Sequence, residues 1–198
     1  MAVQKKMFVA LKKIVPSEME YYLEELNSEG LELLPLGEAG LFRFLFTEKK
    51  PEKTKYVVDC TEMNKVSYMQ TAIDKGWELT GKSFNCYIWR KKYEGQDRPE
   101  DFSDKQGLYK HCLRQGLVMT VMAFIILALI VGLVYFIRLE RSYGVQQHTI
   151  AYTVMLVTQI PFLLYFAWAG RKLLFEAKRL KEVIARGIYT KRRPGSGE

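Results

Sequence analysis

Residues 76–83 read Gly-Trp-Glu-Leu-Thr-Gly-Lys-Ser and satisfy the phosphate-binding pattern G-x-x-x-x-G-K-[ST] letter for letter. In a working loop of this kind the strand comes first. A helix opens directly behind the Lys-Ser pair, so that its N-terminus faces the phosphates. Here the order is reversed. Gly76 stands where a C′ glycine would end a helix, and "GKSFNCYIW" runs on with strand character. Glu78 adds negative charge where phosphates would sit. The sequence therefore predicts that Lys82 is a solvated hairpin lysine and that no nucleotide binds.

Other residues with chemical potential are few. His111 lies beside Cys112 and His148 lies farther on, while Cys60, Cys86 and Cys112 match no zinc spacing. Asp97, Glu100, Asp101 and Asp104 crowd into "GQDRPEDFSD", which lacks the glycine bend and terminal Glu of a calcium loop. On these grounds the chain has no catalytic residue, no metal site and no cofactor, and is read as non-enzymatic.

The elements that surround these residues form a repeat. Ser17 and Glu20 read as a capping box, followed by Met19, Tyr22, Leu23 and Leu26 on one helical face and by Gly30. A second helix, with Thr61 as N-cap, carries Met63, Val66, Met69 and Ile73 and ends at Gly76. Strand sequence fills the gaps: "MFVALKKIV", "LELLPL", "LFRFLF", "TKYVVDC", "WELTGKSF" and "CYIWRKK". The order is β-α-β-β twice over, with Gly30-Leu-Glu-Leu matching Gly76-Trp-Glu-Leu and Phe42-Arg43-Phe44 matching Tyr87-Ile88-Trp89. It predicts an α+β domain over residues 1–95, one antiparallel sheet with both helices on one face. Phe42, Phe44, Tyr87 and Trp89 then share a side. They either form the core with the helices or line an open face that takes a partner.

Beyond residue 115 the composition changes. Gly116–Ile137 and Ile150–Ala169 are long enough and apolar enough to cross a membrane. The reading is a linker and juxtamembrane helix over 96–115, spans at 116–137 and 150–170, an external loop at 138–149 and a basic tail at 171–198. Ser103 and Gln106 read as a second capping box, opening a helix that continues into the first span. Thirteen basic residues lie on the flank and tail against two in the loop, which places both termini in the cytoplasm and makes the three cysteines free thiols. Gln159, near Pro161 in the second span, is either a tolerated polar residue or an interhelical hydrogen bond. The tail has an apolar stripe through Leu173, Leu174, Ala177, Leu180, Val183 and Ile184. Arg171, Lys172, Lys178, Arg179 and Lys181 are candidate contacts to anionic lipid. A membrane-tethered basic flank explains the net charge of +8 without a nucleic-acid partner.

These residues resemble a bacterial membrane-protein family known as domain of unknown function 2812. The resemblance is carried by Phe42-Arg43-Phe44, "YVVD" at 56–59, "GWEL" at 76–79, "IWRKK" at 88–92 and Ser103-Asp104-Lys105. Tyr22-Leu23 and Gly30-Leu31 depart from its usual Trp-Leu and Gly-Trp. The resemblance brings no activity. Through the family's association with PadR-type regulators it implies a part in an envelope or antimicrobial stress response. The expectation is a membrane-anchored sensor or adaptor whose cytoplasmic domain binds a protein partner, a second copy or a ligand. The alternative is an accessory component of a transport, resistance or immunity system.

Overall fold

The structure, a computed structural model, describes residues 4–36, 44–60, 66–83, 86–144 and 149–186. It divides into two compact units. One holds Met1–His111 with Ala177–Glu198, the other Cys112–Glu176.

In the first unit the elements run β1 (Gln4–Met7), α1 (Val9–Lys12), α2 (Pro16–Ser28), β2 (Leu31–Leu33), β3 (Phe44–Glu48), β4 (Thr54–Asp59), α3 (Val66–Asp74), β5 (Glu78–Ser83) and β6 (Cys86–Lys92). The expected first strand, Met7–Val15, is corrected: the strand lies earlier, at Gln4–Met7, and Val9–Lys12 form the one-turn α1. Apart from α1, this is the β-α-β-β order twice. Each repeat builds its own antiparallel sheet, in the same internal order: β1-β3-β2 and β4-β6-β5. The expected single sheet is therefore corrected to two. Pro35 lacks the N–H that would carry the β2 ladder onward. Among the described residues, the backbone bond that joins the sheets runs from the Leu36 N–H to the Thr80 carbonyl, at 2.7 Å.

The helices also do not share one face. Met19, Leu23 and Leu26 of α2 pack with Leu33, Phe44 and Phe46 of their own sheet, and with Tyr56, Val58 and Ile88 of the other. The opposite face of that second sheet presents Val57 and Trp89 to Ala72 and Met69 of α3 and to Trp77. Strand β4 is consequently buried at every residue. Asp59, fully buried, accepts a hydrogen bond from the Tyr68 hydroxyl of α3 at 2.5 Å.

Two caps differ from expectation. Helix α2 begins at Pro16 with Val15 as N-cap, so Ser17 and Glu20 lie inside the helix and form no capping box. At α4 the cap is Asp104, whose Oδ1 accepts the Gln106 N–H at 3.1 Å. The Thr61 cap lies outside the described residues. Gly30 and Gly76 close α2 and α3 with positive φ, as the repeat requires.

Helices α4 (Lys105–Ser142) and α5 (Thr149–Ala185) each pass through both units. Both are long and apolar enough to cross a membrane and are mostly exposed, consistent with a two-span membrane protein. Within the second unit they pack where side chains are small: Gly116 lies against Leu174, and Gly170 against Thr120. In the first unit, Leu180 of the tail stripe packs against the α+β core, so that residue is covered by protein rather than lipid.

Candidate functional site

The phosphate-loop match falls as the flanking sequence predicts. Gly76 follows α3, and Gly81, Lys82 and Ser83 lie inside β5, with no helix behind them. The Lys82 ammonium stands 5.5 Å from the Tyr87 ring. Gly81 answers to the fold. Its φ is +149°, at a register shift in β5, and a Cβ there would come within 2.5 Å of the Leu36 Cβ and 3.0 Å of its carbonyl oxygen. The glycine admits the crossing that joins the two sheets.

Charged residues hold the repeats together. Glu78 grips Arg90 through two hydrogen bonds of 2.8 and 2.7 Å, and its repeat equivalent Glu32 stands 3.2 Å from the same guanidinium. Arg90 also donates to the Leu33 carbonyl at 2.9 Å. Glu78 holds the Arg90 guanidinium charged, and Arg90 holds the Glu78 carboxyl below its ordinary range.

A second group closes the outer edge of β4. The Val58 N–H donates to Glu20 Oε1 at 2.7 Å and the Tyr56 N–H to Glu24 Oε1 at 3.3 Å. Lys55 and Arg98 pair with Glu24, at 2.9 and 2.8 Å. Glutamates one turn apart on α2 thus serve alternate amides of an edge strand. Glu20 keeps part of its stem open while its carboxyl is enclosed. Burial, reinforced by Asp101, pushes that carboxyl up to about 8.

The proposed ring face is not one surface. Phe44 and Trp89 are fully buried, in different clusters, each facing the helix of its own repeat. Tyr87 is half-buried beside Trp89, and Phe42 lies outside the described residues. An open face containing Phe44 and Trp89 is therefore ruled out by their burial. The register also shifts the repeat alignment by two. Leu33 pairs with Phe46 and Leu79 with Trp89, so Trp89 corresponds to Phe46 and Tyr87 to Phe44. The Gln159 side-chain oxygen is shielded and has no hydrogen-bond partner among the described residues. Arg171, Lys178, Arg179 and Lys181 are exposed, and the Lys172 ammonium lies 4.9 Å from the Trp168 ring.

One constellation was not expected. Cys60 and Cys86 are joined as a disulfide, and His111 of α4 stands beside them, with Cys86 Sγ 3.6 Å from Nε2 and 3.8 Å from Nδ1. The free-thiol reading is corrected for this pair, while Cys112 is free and buried. The cause is register. Asp59 pairs with Tyr87 in the antiparallel β4–β6 ladder, so the next residues, Cys60 and Cys86, face each other. Among the described residues these three form the one group of histidine, cysteine or acidic ligands gathered closely enough to hold a metal, with all ligand atoms within 4.8 Å.

A family model described as a protein of unknown function (DUF2812) matches residues 16–124, just over half of the chain. The chain belongs to this family. No curated protein and no solved structure matches it. The stretches that carry the DUF2812 resemblance now have physical reasons. Tyr56 and Val58 fill one side of β4, and Val57 and Asp59 the other. In "GWEL", Trp77 is core, the partly buried Leu79 packs against it, and Glu78 grips Arg90. In "IWRKK", Ile88 and Trp89 fill opposite faces, and the Lys91 ammonium donates to the Lys75 carbonyl past the end of α3 at 2.6 Å. Asp104 starts α4, and Lys105 is anchored to Asp101 and Ser103. These DUF2812 segments build the scaffold. The cysteine–histidine group sits on it at the end of β4, the start of β6 and the second turn of α4.

Proposed function

We propose that the chain is a non-enzymatic, membrane-anchored sensor or adaptor, with its α+β domain and both termini in the cytoplasm and a part in an envelope or antimicrobial stress response. The observation that carries this reading is the double membership of α4. Its first turns give Leu108 to the domain core and His111 to the cysteine pair, and the same unbroken helix goes on as the first apolar segment. A change of state in the domain and a change in the span then act on one continuous helix. The scaffold role of the family motifs also supports a binding module over an enzyme, since the residues that define the pattern are used in packing. The lipid surface engages the exposed basic residues of α5, and a protein partner or second copy is the expected recipient of the signal. The test is in-membrane crosslinking followed by mass spectrometry, comparing the native chain with one carrying Leu108→Asp. Recovery of one defined partner that is lost in the variant supports the reading. An identical crosslink pattern from both, or none beyond lipid-neighbour background, overturns it.

A further inference from the structure

The cysteine–histidine group is unlike the rest of the interior. Its three donors come from three elements far apart in sequence, and each is about nine-tenths buried: Cys60 and His111 are 9% exposed and Cys86 4%. Histidine is an uncommon choice for such a position, one turn beyond the core residue Leu108. Its ring edge faces sulfur, a soft donor, and both ring nitrogens lie within 3.8 Å of Cys86 Sγ.

The separation has a chemical meaning. Zinc–sulfur and zinc–nitrogen bonds of about 2.3 and 2.1 Å at a tetrahedral angle place the two donors about 3.6 Å apart. Cys86 Sγ and His111 Nε2 are already 3.6 Å apart. Two sulfurs on one tetrahedral zinc stand about 3.8 Å apart, so the bonded sulfurs must part, while all three ligand atoms already lie within 4.8 Å of one another. We propose that Cys60, Cys86 and His111, once the Cys60–Cys86 bond is reduced, form a binding site for a thiophilic d10 cation of the Zn2+ type. The inference rests on the sensor reading for its consequence, not for the binding.

The steps balance. A dithiol reductant delivers two electrons and two protons to the disulfide, giving two thiols, and itself becomes a disulfide. Each thiol gives up its proton to solvent as its sulfur binds the cation, and neutral His111 supplies the third donor. Three protein ligands leave one coordination position open. Oxidation and cation binding are mutually exclusive, because the same two sulfurs serve both. The domain therefore has two covalently distinct states at the point where α4 leaves it.

The experiment uses the full chain in detergent micelles and Co2+ as the probe, with a phosphine reductant and a thiol count before each titration. The reduced chain is expected to develop the thiolate charge-transfer and intense visible absorption of a tetrahedral cobalt–thiolate site, saturating at about one ion per chain. Zn2+ should bleach both. The oxidised chain should show neither. Cys60→Ser and Cys86→Ser should lose the charge-transfer absorption, His111→Ala should weaken uptake and shift the visible bands, and Cys112→Ser should change nothing. Should a variant fail to fold, the oxidised and reduced forms of the native chain still decide the matter. A reduced chain without thiolate absorption overturns the proposal. Absorption that survives loss of both Cys60 and Cys86, or a pair that cannot be reduced while folded, does so too. Intact cobalt uptake with no partner in the crosslinking test would sink the sensor reading alone.

Discussion

Glu20 shows how a residue that looks like a helix cap can be used for something else. Its carboxyl is turned to the β4 edge and enclosed there, which raises it from 4.5 to about 8. In the unfolded chain the group loses its proton near the lower value, in the folded chain near the upper. The folded state holds the extra proton between them, so this group's contribution to stability falls as pH rises through that window and is flat outside it. Glu20→Gln keeps an acceptor for the Val58 N–H and removes the titration. The variant should be more stable than the native chain at neutral pH, and the difference should shrink towards pH 5. Thermal melts of both proteins in micelles between about pH 5 and 8 check this, and parallel pH profiles would reject the assignment. None of it was legible in the sequence, where S-x-x-E reads as a local cap and the strand it serves lies 38 residues away. Cys60 and Cys86 offered a better clue. They stand at the end of one predicted strand and the start of another, and pairing those strands antiparallel brings them face to face. His111 carried no signal of that kind, because its neighbours are fixed by packing and not by spacing.

At the level of elements, what could be read early was whatever is local. Alternating aromatic residues and glycine-ended helices gave both repeats and the order of elements along the chain. The number of sheets could not be read this way, since it turns on how the segment around Pro35 meets β5 at the Leu36–Thr80 bond. The side taken by each ring was also hidden, because both faces of β4 and β6 are covered and alternation then marks no solvent side. The crossing of α4 and α5 is the element-scale feature most open to test. A Cβ at Gly170 would lie 2.6 Å from Thr120 Oγ1 and 3.1 Å from its backbone nitrogen, whereas Gly132 has nothing within 4 Å. Helices in a bilayer rely on close approach at such small residues. Gly170→Val should destabilise the hairpin by about 1–3 kcal/mol, and Gly132→Val should leave it nearly unchanged. Unfolding in mixed micelles, followed by far-ultraviolet circular dichroism, compares them. Equal effects would mean that the helices do not meet at Gly170.

For the molecule as a whole, charge decides the expected topology. The flank and tail carry thirteen basic residues and the loop two, so a reporter fused after Glu198 should read as cytoplasmic and one placed at Gly144 as external. An external C-terminus would reverse this, and would also put the cysteine pair in an oxidising compartment where it stays closed. Finally, the compact unit that contains the α+β sheets is not continuous in sequence. It takes in Ala177–Glu198, and Leu180 is part of the packing around its core. The ribosome makes the sheets first and Leu180, near the end of α5, only after both apolar segments. On the two-span reading, the domain completes its packing only after both apolar segments have been synthesised, so its last contact follows theirs in time.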